Sequence, residues 1–389
     1  MEQTVKVTPV AGYDVAVCGG GIAGIAAALA AARHGKKVVL LERQYMLGGL
    51  AIAGLITIYL PLCDGMGRQV SFGIAEELFK LSIKHGAEAR YPKNWLDGEG
   101  TRTEKDQRYL VRYNAQLFAI LAEQLLVQEG VTILYGTYAV DVIKKGDKIE
   151  TLVVEGKSGR QGFQVESVID ATGDCDIALF AGVPTDTFEK GNFLASWYYS
   201  AEQEGYKLNQ LGCADLAQYD DPSIRTFSGV GDKDLSEMMI LAHENILKHF
   251  LKKQEADPSA WIATLPTVPQ VRMSRKIRGE YSLAESEVHT YFEDSIGMVS
   301  DWRKRGPVFE VPYRTLYSKA VKNLIIAGRC TSVEEDMWDI MRVIPCCAVT
   351  GQAAGTAAAM GSDFAALDVS LLQDKLQKDG VILHERDLA

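Results

Sequence analysis

The sequence contains no C-x-x-C pair. Its seven cysteines, Cys18, Cys63, Cys175, Cys213, Cys330, Cys346 and Cys347, are scattered and odd in number. That excludes a regular disulfide framework and points to a reduced, cytoplasmic protein. Long apolar runs are missing too. The longest, Ile22 to Ala32, is far short of the roughly 20 residues that cross a bilayer, so no membrane partner is expected. Met1 to Tyr13 lacks the charged start, apolar stretch and small-residue cleavage site of a signal peptide. Positive charge is not in excess. There are 41 Lys and Arg against 51 Asp and Glu, a net charge of -10, which argues against nucleic acid as a partner. No G-x-S-x-G elbow occurs, so a serine hydrolase has no anchor. Of the six histidines, His243 and His249 share a helical segment, but a spacing of six puts them on different faces, so no metal site is expected. No internal repeat is evident.

What remains is a chain of 389 residues with 47% apolar and 24% charged side chains, the balance of a globular protein of about two or three domains. Tyr13 to Cys18 reads as a buried parallel strand, Ile22 to His34 as an Ala-rich helix stopped by Gly35, and Lys37 to Glu42 as a second strand. Together they make a βαβ unit. Amphipathic helices are predicted over Gly73 to Lys84 and Asn114 to Gln128, and a strand over Val131 to Tyr135. Residues 92–108 read as a polar surface loop. Three strand-like runs from Tyr138 to Ile169, broken by Lys-Gly-Asp and Ser-Gly turns, predict a β-meander. Residues 186–305 change character, with aromatics at Trp197, Tyr198 and Tyr199 and a long helix from Leu235 to Lys253. From 306 the opening pattern returns, with a buried strand at Val321 to Ala327 and a small-residue helix at Cys346 to Met360. The expected fold is α/β: a discontinuous nucleotide domain from 1–185 and 306–389, and an inserted α+β cap or substrate domain at 186–305.

Gly19, Gly21 and Gly24 form G-x-G-x-x-G at the join of the first strand and helix. The first glycine permits the turn, the second lets a pyrophosphate approach the backbone, and the third lets helix and strand pack closely. The phosphates would meet the helix start at Ile22 and Ala23. Glu42 ends the next strand, where a carboxylate can accept both ribose hydroxyls of an adenosine. A tight turn with no ligand is the plain alternative, and the unit alone does not separate NAD from FAD.

Later motifs do. Ala171-Thr172-Gly173-Asp174 follows the meander, and Ala327-Gly328-Arg329 precedes Thr350-Gly351-Gln352-Ala353-Ala354-Gly355. In this combination the chain resembles FAD-dependent oxidoreductases of the glutathione-reductase-like superfamily, nearest the succinate dehydrogenase/fumarate reductase-type flavoproteins. The resemblance covers the first 180 or so residues and the last 70 or so, in keeping with the division argued above. It implies that Gly19, Gly21, Gly24 and Glu42 hold the ADP half of FAD with Arg43 beside the adenosine. It also implies that Gly48-Gly49, the ATGD run, Gly328, Arg329 and the helix containing Cys346 and Gly351 lie at the cofactor. That helix start would present N–H groups to the flavin, although close packing by small residues needs no cofactor. The dithiol pair of flavin disulfide reductases is absent, since Cys63 stands alone, and no second G-x-G-x-x-G for a nicotinamide is present. Arg43 to Gly54 has no His for covalent attachment, so noncovalent FAD is expected.

Hydride transfer needs the reacting carbon held at the flavin and a group for the accompanying proton. Arg278, Tyr281 and Arg342 are the candidates. Read as a strand, Val271 to Tyr281 places Ser274, Lys276, Arg278 and Glu280 on one face. Its arginines are either a carboxylate clamp or ordinary surface charge. The resemblance implies that Tyr313 and Arg314 lie on the flavin side. Cys330 to Arg342 is expected beside the flavin, and its acids Glu334, Glu335, Asp336 and Asp339 favour a neutral or cationic substrate, whereas the cap arginines favour an anion. The function expected is an FAD-dependent oxidoreductase moving a hydride between flavin and a small organic molecule, by C–OH or C–N oxidation or C=C reduction, with an unassigned electron donor or acceptor. The alternatives are a dinucleotide-binding structural or sensing subunit and an NAD-binding biosynthetic enzyme of the thiazole-forming type. A homo-oligomer is compatible with the sequence.

Overall fold

The computed structural model describes residues 6–85, 111–212 and 223–388. The loop expected at 92–108 and Cys213 fall outside them. The chain opens with β1 (Thr8–Cys18), α1 (Ile22–Arg33) and β2 (Val38–Glu42), followed by α2 (Ile74–Ile83), α3 (Ala115–Gln128) and β3 (Thr132–Tyr135). Asn114 caps α3 by accepting a hydrogen bond from the Leu117 N–H at 3.1 Å, replacing one of the unpaired donors of the first turn. The expected meander is present as β4 (Tyr138–Lys145), β5 (Lys148–Gly156) and β6 (Gly159–Asp170), joined antiparallel.

These strands form one seven-stranded mixed sheet in the order β3-β2-β1-β6-β5-β4, with β10 (Leu324–Ile326) pairing the end of β6. The strand β6 runs parallel to β1 from Gln161 to Asp170 on one side; on the other its start pairs antiparallel with β5 and its end parallel with β10 (Ile326 opposite Asp170). The parallel strand ends of β1, β6 and β10 therefore finish side by side, and the loops that follow share one edge of the sheet, where α/β folds bind ligands. Continuous burial explains the uninterrupted apolar runs: every residue of β2 is buried, and Val15, Ala16 and Val17 of β1 are fully so.

Residues 196–264 build a separate three-stranded antiparallel sheet, β8 (Gly205–Leu211), β7 (Ser196–Glu202) and β9 (Trp261–Thr264). The long helix α4 (Asp232–Ala256) packs on it through Ile246 and Phe250 against Tyr198. Val271 to Tyr281 departs from the expected strand. Only Arg275–Ile277 pairs, with Thr185–Thr187. The cause is Asn192. Its carboxamide accepts the N–H groups of Arg272 and Met273 at 2.8 and 3.0 Å and donates to the Met273 carbonyl at 2.6 Å, so a side chain supplies the partners a strand would have given. Arg272 and Ser274 are both buried as a result.

The C-terminal part runs through α5 (Glu335–Met341) and α6 (Ile344–Met360). These two are bent by 89°. No single helix among the described residues is long and apolar enough to cross a membrane. α6 lies against α1 so closely that a Cβ on Gly351 would stand 2.3 Å from the Ala23 carbonyl oxygen, and one on Gly355 would stand 2.2 Å from that of Ala27. The small-residue stripe of α6 is thus a backbone contact between the two ends of the chain. All six described cysteines are free and buried. Burial pushes the Cys346 thiol up and the Cys347 thiol to about 12, so both stay protonated and unreactive at neutral pH despite sitting at a helix start.

Two outcomes follow from this packing. Gly355→Ala forces the helices apart and lowers unfolding free energy by about 3 kcal/mol in urea denaturation; a loss within error would mean that the contact is soft. Native protein at pH 8 shows no iodoacetamide adduct on Cys346 by peptide mass spectrometry, and the residue labels after unfolding; labelling of the native protein would contradict its burial.

Candidate active site

A cleft of about 530 Å³ opens where β1, β6 and β10 end. Its first wall is the turn from β1 into α1. Gly19 has a φ of +104°, and a Cβ there would meet the Ala171 carbonyl oxygen at 2.4 Å. A Cβ on Gly24 would lie 1.8 Å from the Gly19 oxygen, so α1 can dock on the turn only with glycine at that position. Gly21 differs: a Cβ there would meet no atom within 4 Å, and the residue lines the cleft. The turn therefore presents bare backbone and the N-terminus of α1 to open space, which is what a pyrophosphate needs. Gly48 donates its N–H to the Gly20 carbonyl at 2.8 Å, which pins the Gly48-Gly49 doublet to the same turn.

Glu42 is buried at the end of β2. One carboxylate oxygen accepts the Gly20 N–H at 2.8 Å and the other the Gln44 N–H at 2.7 Å. Burial pushes its carboxyl up, opposed by these N–H groups and by Arg43. A carboxylate has about four acceptor positions, so capacity remains for hydroxyl groups from the cleft. Arg43, Gln44, Thr137, Tyr138 and Ala139 complete this end.

The ATGD run is built from below by Asp170. Its carboxylate accepts from the Thr172 N–H and hydroxyl and, through the other oxygen, from the Ala178 N–H. Asp174 accepts from the Ser274 hydroxyl at 2.6 Å and from Arg329 at 3.3 Å. Arg329 lies across Gly173, where a Cβ would stand 2.4 Å from its guanidinium, and it also donates to the Val271 carbonyl. Asp176, on the same wall, has its carboxyl pushed up to about 6, first by burial and then by the Asp174 and Asp170 carboxylates.

The far side joins three apolar stretches. Leu50, Ala53, Ile56, Ile58 and Leu60 come from the segment after β2, Val268, Pro269 and Val271 from the extended piece, and Val343 and Ile344 from the start of α6. The extended piece is held to the first by the Thr267 N–H on the Ala53 carbonyl at 2.8 Å and by Gln270 on the Gly54 carbonyl. Two guanidinium groups lie among these residues. Arg272 is 7% exposed, bonds the Gln270 carboxamide at 3.0 Å and stands 5.5 Å from the Trp197 ring centre. Arg342 donates two hydrogen bonds to one oxygen of the buried Asp339 and lies over Trp302.

Of the residues expected at the cofactor, Gly19, Gly21, Ile22, Ala23, Glu42, Arg43, Gly48, Gly49, Ala171, Thr172, Gly173, Asp174, Gly328 and Arg329 line this one cleft. Gly24 and Gly351 do not line it; they hold α1 to the turn and to α6. Cys346 points away, its thiol on the Ile340 carbonyl, and Cys347 takes the cleft position instead.

Of the three proton-transfer candidates the structure brings only Arg342 to the cleft. Arg278 is 67% exposed and paired with Asp186 at 2.7 Å. Tyr281 is bonded to Glu287 with Arg314 over its ring, outside the cleft, its hydroxyl pushed up to about 12 chiefly by burial. Tyr313 and Arg314 are also outside it, bonded to Phe364 and Asp294. The acidic run turns away: Glu334, Glu335 and Asp336 are exposed at the start of α5, and Asp339 is taken up by Arg342. Sequence reasoning missed Leu235, Ser236 and Met239 of α4 and the piece Thr267–Pro269, which reach the cleft only through tertiary packing. Among the described residues no group of three His, Cys, Asp or Glu side chains is placed to hold a metal.

The model of the FAD-dependent oxidoreductase family matches residues 14–195 and 194–376. A thioredoxin reductase of Ureaplasma parvum is 31% identical over 71 residues, 18% of this chain and 23% of that protein, so the match spans about a quarter of the relative's length. Among solved structures, a geranylgeranyl bacteriochlorophyll reductase-like protein of Thermoplasma acidophilum is 13% identical with a TM-score of 0.46, covering 95% of this chain and 83% of the other. Thermovibrio ammonificans THI4 is 23% identical with a TM-score of 0.32, covering 46% of this chain and 66% of the other. The family match runs through both ends of the chain that build the cleft, and the bare Gly21 backbone and the Glu42 carboxylate suit a dinucleotide there: the chain belongs to the FAD-dependent oxidoreductase family, an enzyme whose cofactor is FAD.

Proposed function

We propose that this enzyme moves a hydride between noncovalently held FAD and a small organic molecule that carries an anionic group on an apolar body. The observation that carries the reading is the pairing of Arg272 and Arg342 with apolar walls in the cleft that the glycine turn opens into. Glu334, Glu335 and Asp336 lie outside it, and of the acids on its wall Asp174 is taken up by Ser274 and Arg329 and Asp176 by Arg275. The glutathione-reductase-like assignment, with 186–305 as an inserted substrate domain, belongs to the same reading. It is supported by the return of the chain to the sheet at β10 and by the separate sheet of β7, β8 and β9.

Glu42 would accept the adenosine ribose hydroxyls, the Gly19–Gly24 turn and α1 would meet the phosphates, and residues 171–174, Gly328, Arg329 and the start of α6 would lie along the rest. No histidine among the described residues lines the cleft. When bound, FAD supplies two-electron exchange with a substrate carbon. The chain supplies the rest. Arg272, stiffened by Gln270 and Trp197, orients the anionic group by the fork geometry of its guanidinium. Arg342 is the proposed site of the accompanying proton, and Asp339 is its positioning residue. Leu50, Ile56, Ile58, Val268 and Ile344 exclude water from the reacting carbon and so strengthen both charge contacts.

Two measurements test this. Glu42→Ala keeps the far-ultraviolet circular dichroism of the wild type but raises the FAD dissociation constant about 10–100-fold, the worth of one charge-assisted hydrogen bond; equal retention would remove the ribose assignment. In anaerobic assays following the flavin spectrum, enoates, hydroxy acids or amino acids change the redox state and neutral polyols do not. Arg272→Leu then lowers kcat/KM for the active acid about 100-fold with the bound flavin spectrum intact. Turnover of polyols alone, or an unaffected Arg272→Leu variant, would overturn the anionic assignment.

A further inference from the structure

α4 has two apolar faces, and only one is covered. Met238, Ala242, Ile246 and Phe250 are buried against the small sheet and its neighbours. On the opposite side Ile240 is 59% exposed, Leu247 53% and Leu251 50%. At 100° per residue these three fall within about 40° of one another, a continuous stripe over three turns. Scattered apolar side chains on a surface need no explanation, but an aligned row on a solvated helix does.

The charges beside the stripe say what covers it. Glu244 stands one turn before Lys248, on the same flank. Stacking a second α4 in parallel register, stripe to stripe, would put the Glu244 and Lys248 flanks of the two helices on opposite sides of the seam, where they do not meet. Reversing the second helix, with the two-fold axis opposite residues 245 and 246, sets Ile240 against Leu251, and Glu244 against Lys248, in two symmetry-related copies. Lys233, near the start, then comes within a turn of Glu255 of the second copy. The like-charged approach of Glu237 to Glu255 is relieved because Glu237 is already paired with Arg225 at 2.5 Å. Lys253 takes no part, being turned inward to Glu202 at 2.6 Å. The reversed arrangement also opposes the two helix dipoles.

We propose that two copies of this chain pair through α4 in antiparallel register, with Ile240, Leu247 and Leu251 as the apolar seam and Glu244 and Lys248 as the charge lock. This is the isologous contact of a two-fold dimer. It is independent of the proposed substrate, since none of these five residues lines the cleft.

The test uses the full-length, FAD-loaded protein at micromolar concentration, with mass read by light scattering after gel filtration and flavin read by absorbance. The wild type is expected at twice the chain mass. Leu247→Lys, Glu244→Lys and Lys248→Glu are each expected at the single-chain mass with flavin content unchanged, and the double reversal E244K/K248E is expected to regain the dimer. A wild type at the single-chain mass, or a Leu247→Lys variant that stays dimeric, would overturn the interface. Failure of the double reversal to recover the dimer would overturn the antiparallel register. Loss of flavin in a variant would mark misfolding, and the double reversal, which retains both side-chain types, then decides the case.

Discussion

The walls of the cleft at the starts of α1 and α6 hang on the contact between these two helices. Gly351 and Gly355 press on the carbonyls of Ala23 and Ala27, so two helices from opposite ends of the chain touch backbone to backbone. A Cβ at either glycine would push them apart. That separation would move the start of α6 away from the start of α1, and both line the cleft. Close packing of this kind has no soft response, because the interior has no free volume to absorb a displacement. The two glycines thus act on the site without lining it.

The same logic governs the charges. The cleft holds several ionised groups, and most are fixed by a protein partner: Glu42 by backbone N–H groups, Asp174 by Ser274 and Arg329, Arg342 by Asp339. A buried ion pair contributes little net stability after desolvation, but breaking one is costly, so each pair holds its geometry. The apolar lining raises the strength of what remains. An acidic protein, net charge -10, in this way keeps arginines in the cleft, pairs the buried Asp339 of α5 with one of them, and turns Glu334, Glu335 and Asp336 to water.

Much of this was legible in the sequence where the cause is local. The turn at Gly19 to Gly24 follows from sterics within a few residues. The meander follows from turns at 146–147 and 158–159. The acid at the end of β2 follows from the length of a strand. Legibility failed where a distant partner intervened. Period-two alternation puts Arg278 on one face with Ser274 and Lys276, but the Asn192 carboxamide, far back in the chain, takes the backbone donors of Arg272 and Met273, and only Arg275–Ile277 pairs as strand. Arg272 is buried on the Asn192 side of that strand, and Arg278, beyond its other end, is exposed and paired with Asp186. The acidic run was read as lying beside the flavin because it joins the last strand to the last helix, yet its first three acids occupy the solvated turn of α5.

By itself, then, the sequence determined the α/β pattern, the dinucleotide turn and its acid, and the combination of motifs that signals FAD, because each depends on backbone sterics, helix and strand periods, or short spacings. The tertiary structure alone decided which arginines reach the cleft, which cysteine of the Cys346-Cys347 pair lines it, and that an extended piece and α4 close its far side. Those outcomes depend on which surfaces are brought together across long stretches of chain, and local residue order carries no record of that choice.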